Sequence, residues 1–148
     1  MLLEKIQDLS VYYYVQSLFS ATPFVTVVDG FPVEGLEIPS IAVEASDIRA
    51  YPFELGNRTT YRIRAWDIDV FAKNKAQRDD FAYTIMNALD ECIPVYDYEQ
   101  GFPPTAVPQL GCMNTDTLKL VIVRVMPQLV EKLYYRATVS FTAIYNQI

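Results

Sequence analysis

Asp67 and Asp69 have the most suggestive spacing of any acids in this sequence. Two apart on an extended segment, they project to the same side, and paired carboxylates on one side can chelate a hard cation. Arg62 and Arg64 lie close by, and the competing expectation is a solvated, charge-paired sheet face worth about 0–1 kcal/mol per pair. Asp79-Asp80 and Asp90-Glu91 occupy adjacent helix positions, which do not converge on one site. Lys73, Lys75 and Arg78 form a basic cluster too small for a nucleic-acid footprint. Histidine is absent, which excludes a Ser-His-Asp triad, a Cys-His dyad, an HExxH zinc site and a histidine general base. Phosphate-loop, dinucleotide-fingerprint and nucleophile-elbow motifs are absent as well. Cys92 and Cys112 are too few for a disulfide scaffold and lack metal-ligand spacing. They read as a helix-end thiol and a loop thiol, with nothing that requires an oxidising compartment. No set of residues has enough parts to imply a reaction, a cofactor or a resident metal.

These side chains sit in a chain of 148 residues, 51% hydrophobic, 14% aromatic and 20% charged. That composition excludes disorder, because disordered chains lack the apolar surface that offsets ordering entropy. The length suits a single domain spanning 1–148, which at this size buries roughly 68–70% of its unfolded surface. Lys plus Arg is 12 against 18 for Asp plus Glu, a net charge of −6. An acidic chain is a poor phosphate binder. Glu4, Lys5 and Asp8 make the N-terminus unlike a signal peptide. The stretch from Leu9 to Asp29 contains Ser, Gln, Thr and Pro23 and does not read as a transmembrane helix. The expectation is a protein that is soluble and intracellular when made, with no membrane partner.

The periodicities predict the order α-β-β-β-α-loop-β-β, an α+β domain with a mainly antiparallel sheet and two helices on one face. Residues 2–20 read as a helix with Leu2, Ile6, Leu9 and Tyr13 on one face. The segment Val11-Tyr12-Tyr13-Tyr14-Val15 is apolar all round, so it is buried on several sides or covered by a partner. Residues 24–28 form a short strand closed by Asp29-Gly30, followed by a loop over 29–39. Strands 40–54 and 59–72 make a long hairpin through Gly56-Asn57. The second helix, 75–91, opens with Asn74 and Gln77 as a capping box, carries Phe81, Ile85, Leu89 and Cys92 as its stripe, and ends before Pro94. Residues 93–115 read as a long loop with four prolines and the aromatics Tyr96, Tyr98 and Phe102, a packed or partner-binding segment. Residues 117–126 are apolar on both faces, as a central strand would be. Residues 132–147 alternate as a half-buried strand, hairpinned to 117–126.

The hairpin 40–72 carries an unusual pattern. Apolar positions run odd, then even, in both strands: Ile41, Val43, Ala45, then Ile48, Ala50; and Tyr61, Ile63, Ala65, then Trp66, Ile68, Val70. A Gly56-Asn57 turn pairs residues whose numbers sum to 113, which sets Val43 against Val70 and Ile48 against Ala65. Both strands then switch faces near Asp47 and Trp66, whereas a single bulge shifts one strand. Two accounts fit. Either the register is wrong and the pattern coincidental, or the base half packs on its own domain while the tip half projects and buries its other face on a partner.

The N-terminal helix, the hairpin ending Trp66-Asp67-Ile68-Asp69-Val70-Phe71-Ala72, the helix opening Lys75-Ala76-Gln77-Arg78-Asp79-Asp80-Phe81 and the closing strand Tyr134 to Thr142 resemble the tail-terminator or tail-completion (neck) proteins of tailed bacteriophages. The resemblance spans most of the chain and rests on element order and strand character. The 93–115 loop departs from the more compact members. The resemblance implies a non-enzymatic virion protein of the tail or neck, assembled in the host cytoplasm. It would form a homo-oligomeric, hexameric ring between the tail tube protein and the head-tail connector protein, with DNA passing through without specific binding. Its acidity suits a lumen that repels phosphates. The residues expected at subunit or partner interfaces are Tyr12, Tyr13 and Tyr14, the hairpin positions Ile48, Ala50 and Ile63, and the loop aromatics Tyr96, Tyr98 and Phe102. Two other readings stay open: a small metal-dependent enzyme using Asp67 and Asp69, and a monomeric protein-binding module using the 93–115 loop.

Overall fold

Strict alternation produces the best-defined strand of the molecule. Ala137, Val139, Phe141 and Ala143 are fully or almost fully buried, while the residues between them are half exposed. The computed structural model describes residues 2–30, 37–52, 60–101, 107–123 and 135–147. Its elements are α1 (Leu3–Leu18), β1 (Thr26–Asp29), β2 (Ser40–Pro52), β3 (Thr60–Ala72), α2 (Lys75–Leu89), β4 (Ile93–Tyr96), β5 (Gln109–Val123) and β6 (Tyr135–Gln147). The fold is α+β, with one six-stranded mixed sheet in the order β1-β2-β3-β6-β5-β4. β1 is parallel to β2 and every other pairing is antiparallel. Gly30 closes β1 at φ +92°, a conformation open to glycine, and its N–H donates to the Val43 carbonyl at 2.7 Å.

One sheet face carries the core. Ile41, Val43, Trp66, Ile68, Val70, Val139, Phe141 and Met113 join Val11 and Val15 of α1 and Phe81, Ile85 and Leu89 of α2 in a single cluster. Trp66 stacks on Phe141, with centroids 5.3 Å apart. The expected cap of α2 is present: Asn74 Oδ1 accepts from the Gln77 N–H at 2.9 Å, and Gln77 Oε1 accepts from the Lys73 N–H. In α1 the buried stripe is Ile6, Gln7, Ser10, Val11 and Val15, rotated from the expected face, and Leu2 is exposed. Two polar residues belong to the buried face because each has a partner there. Ser10 Oγ donates to the Ile6 carbonyl, and Gln7 Oε1 accepts from Arg64.

The expected 93–115 loop is corrected in part. Residues 93–96 form β4, and β5 begins at Gln109. Because β4 folds back along β5, with Pro94 opposite Cys112, the two cysteines are not separate thiols. Cys92 and Cys112 are joined as a disulfide, their Cα atoms 5.9 Å apart, within the usual range. β5 is also not covered along its whole length. β6 flanks it from Gly111 to Val123, but β4 reaches only Met113.

The hairpin register differs from the expected sum of 113. Val43 lies opposite Ile68 and Ala45 opposite Trp66. A bulge between Ala45 and Ile48 then inserts one extra residue in β2, after which Ile48 faces Arg64 and Ala50 faces Arg62. Only β2 switches. β3 keeps one parity throughout, and its inward positions beyond Trp66 are taken by two arginines. Arg64 is buried and its guanidinium meets Asp8 at 2.9 Å, the Glu4 carbonyl at 2.9 Å and Gln7 at 3.2 Å. Arg62 pairs with Glu4. The expected Gly56-Asn57 turn lies outside the described residues.

The other sheet face is a polar ladder. Asp69 Oδ1 accepts from Arg136 Nη2 at 2.9 Å and from Thr138 Oγ1 at 2.7 Å, and Asp67 Oδ1 accepts from Ser140 Oγ at 2.7 Å. The carboxylates thus pair with β6, while Arg62 and Arg64 occupy the opposite face. Asp69 is only 5% exposed, so its pairing counts for more than a solvated one. Asp69→Asn is expected to lose about 1.5–3 kcal/mol, the range for hydrogen bonds to charged groups, and Asp67→Asn about 1 kcal/mol or less. Urea denaturation of the two variants checks this; equal small losses would place Asp69 in solvent.

Candidate functional site

The expected interface residues fall into two regions. The first is a groove of about 600 Å³ between the second half of α1 with the turn after it, β1, and the 94–98 segment. Tyr13 and Tyr14 line it from the helix, Val25 and Val27 from the β1 side, and Tyr96 and Tyr98 from the β4 side. Among the described residues, none that lines it is charged. The sheet curls, so its two edge strands approach the same helix. Tyr12 donates its hydroxyl to the Val27 carbonyl on β1 at 3.1 Å, and the Tyr96 N–H of β4 donates to Ser10 Oγ at 3.4 Å. Tyr14 donates to the Ala88 carbonyl of α2 at 2.8 Å. Tyr12 and Tyr14 are therefore tied within the chain, and the all-round apolar character of 11–15 reflects packing on several sides. Tyr13 and Tyr98 meet at 5.3 Å between ring centroids. Phe102 lies outside the described residues.

Burial sets the electrostatics of this groove. The Tyr98 phenol is pushed up to about 12, first by burial and then by Tyr13, while a hydrogen bond with Ser10 works in the opposite sense. Burial also raises the phenols of Tyr12 and Tyr14, with Tyr13 and Asp29 adding to the first and Glu91 to the second. Asp29 is raised by burial and then by Asp8. These phenols stay protonated at neutral pH, and as neutral donors and ring faces they suit binding more than proton transfer. A group with a raised folded-state pKa contributes stability that is complete below its unfolded value and is lost as pH climbs through the folded one. The protein is thus expected to lose stability between pH 10 and about 12, and Tyr98→Phe to flatten that fall. Urea midpoints measured across this window check it; an unchanged slope in the variant would move the titration elsewhere.

The second region is the far half of the hairpin. Glu44 to Tyr51 are exposed, with Ile48 at 47%. Ile48 and Ala50 share a face with Arg64 and Arg62, whereas Ile63 lies opposite Arg49 on β2 and Ile144 on β6. The expected single apolar patch of Ile48, Ala50 and Ile63 is thus split between two faces. A comparable exposed pair, Val121 at 39% and Ile122 at 38%, lies near the end of β5. Two-sided apolar character reads as a strand already covered, so this exposure has no signal in the sequence.

The carboxylates proposed for a cation are occupied by Arg136, Thr138 and Ser140, and among the described residues no group of three or more metal-ligating side chains converges. Among those residues no helix is long and apolar enough to cross a membrane. No protein-family model matches this chain, and no curated protein matches it at a significant level.

Proposed function

We propose that this chain is a non-enzymatic structural protein of a phage virion, forming a ring that terminates the tail tube and joins the tail to the head-tail connector. The observation that carries the reading is the reach of the hairpin. β3 last pairs with β6 at Ile63 and Ile144, while β2 and β3 stay paired as far as Pro52 and Thr60. A two-stranded extension is marginal alone in water, and its exposed Tyr51, with exposed Ile48 just short of it on β2, marks a surface that a neighbour would cover. The ring would be a hexamer in contact with the tail tube protein and the connector protein. A net charge of −6 suits a lumen through which DNA passes without sticking.

A second reading draws on the groove: a monomeric module that binds a partner segment against Tyr13, Tyr96 and Tyr98. Size-exclusion chromatography with light scattering separates the two. The ring reading expects a closed oligomer; a chain that stays monomeric at the highest soluble concentration overturns it and leaves the binding module.

A further inference from the structure

Two strands of the sheet are covered on their outer side for only part of their length. β1 pairs with β2 over Ser40–Val43, and β4 pairs with β5 over Gln109–Met113. Beyond those points, among the described residues, no strand lies on the outer side of β2 or β5. Each strand then has a bulge that includes an aspartate. The register shifts between Ala45 and Ile48 around Asp47, and between Thr115 and Thr117 around Asp116. Bulges and charges blunt sheet edges, so the stretches able to accept a partner strand begin after them, at 48–52 and 117–123. The first matches the usual strand length of about five or six residues and the second slightly exceeds it. Both carry exposed apolar residues, Ile48 on one and Val121 and Ile122 on the other. Leu118 to Val123 has the two-sided apolar character of a strand flanked on all sides.

We propose that the sheet continues from one copy of this chain into the next, the 48–52 stretch of β2 pairing antiparallel with the 117–123 stretch of β5 in a second copy. The inference rests on the ring reading and specifies its interface. Strand direction favours it. β2, β3, β6 and β5 alternate in direction, so β5 runs opposite to β2. Two copies side by side with the same end up then meet antiparallel. Pairing β5 with β5 about a two-fold axis would leave β2 uncovered in both copies, whereas head-to-tail contact covers both edges and closes into a ring or extends as a filament. The level of the two stretches sets the stagger between copies. β1 covers β2 at the level of Leu120 to Val123, and β4 covers β5 at the far end of the sheet. Neighbouring sheets are therefore staggered along the strands, and a closed assembly takes up stagger by tilting them, as barrels do.

The test uses two variants that each block one side, Ile48→Lys and Ile122→Lys, because an edge lysine opposes strand addition. Light scattering is expected to give an oligomer for the wild-type chain, a monomer for each variant alone, and a one-to-one dimer with nothing larger when the variants are mixed. Either variant assembling like the wild type, or a mixture that stays monomeric, overturns this interface while leaving the ring reading standing. A monomeric wild-type chain overturns both. Circular dichroism confirms that the variants fold; should a lysine variant unfold, Ile48→Thr and Ile122→Thr take their place. Amide exchange gives a second readout, with roughly tenfold slower exchange expected at 48–52 and 117–123 in the wild-type oligomer than in the diluted chain. Equal exchange in the two states overturns the proposal.

Discussion

Ile68→Asp is expected to yield insoluble or unfolded protein. Ile68 is fully buried in the centre of β3, between Val43 on β2 and Val139 on β6. A carboxylate placed there has no partner, and an uncompensated buried charge costs several kcal/mol even after its own protonation. Domains of this size are stable by only about 5–15 kcal/mol, so loss of the apolar contacts added to desolvation removes most of the margin. Ile63→Asp, five positions along the same strand, is the contrasting case. Ile63 is half-buried on the opposite face, beside Ile144, where an aspartate keeps access to water. That variant is expected to stay folded and soluble but to assemble poorly. Circular dichroism with light scattering separates the outcomes, and equal unfolding in both variants would mean that the whole hairpin is buried within one subunit.

Removing Asp8 is expected to destabilise the protein more than replacing its partner. The Arg64 side chain is 4% exposed and that of Asp8 is 37% exposed, so the two partners do not carry equal risk. Asp8→Ala leaves the guanidinium buried over the Trp66 ring, 4.8 Å from its centroid, with Gln7 and the Glu4 carbonyl as its remaining acceptors among the described residues. It also removes the acceptor of the Trp66 indole N–H. A stranded buried charge together with a lost hydrogen bond should cost about 2–3 kcal/mol. Arg64→Met removes the charge and keeps the volume, and Asp8 returns to water; the loss is about 0–2 kcal/mol. Urea denaturation of the two variants gives the order. A larger loss for Arg64→Met would show that the pair itself, more than avoidance of a stranded charge, holds this corner.

The pattern of what sequence reading reached follows from the same corner. β6 and α2 were legible because each buries one regular face and has ordinary ends: strict alternation in one, the Asn74–Gln77 cap in the other. The hairpin register was not. Arg62 and Arg64 hold inward positions of β3, and a reading that assigns charged residues to solvent places Ile63 and Ala65 inward instead, producing an apparent switch in a strand that has none. The buried Arg64 and the exposed Arg62 both hold that face because the first turns of α1 bring Glu4, Gln7 and Asp8 over it, a long-range circumstance that no local pattern announces. The same blindness hid the buried stripe of α1, where Gln7 and Ser10 interrupt the apolar period. β4 is four residues long with a proline in it, too short and irregular to read as a strand, and the cysteine pairing that depends on it was missed with it. Within the groove, Tyr13, Tyr96 and Tyr98 were legible as aromatic side chains. The residues facing them from β1 were not, since nothing in the pattern says that the sheet curls.

That curl has a consequence for how the chain reaches its fold. α1 bonds one sheet edge through Tyr12 and the other through Ser10, and the second of these contacts spans 86 residues of sequence. The helix emerges before the sheet during synthesis, yet its buried stripe has no complete partner surface until β4 has followed. Contacts of such separation form late and slow the folding of the domains that depend on them. A nascent chain halted before residue 93 therefore carries an exposed Val11–Val15 stripe beside an unfinished sheet, the kind of intermediate that aggregates.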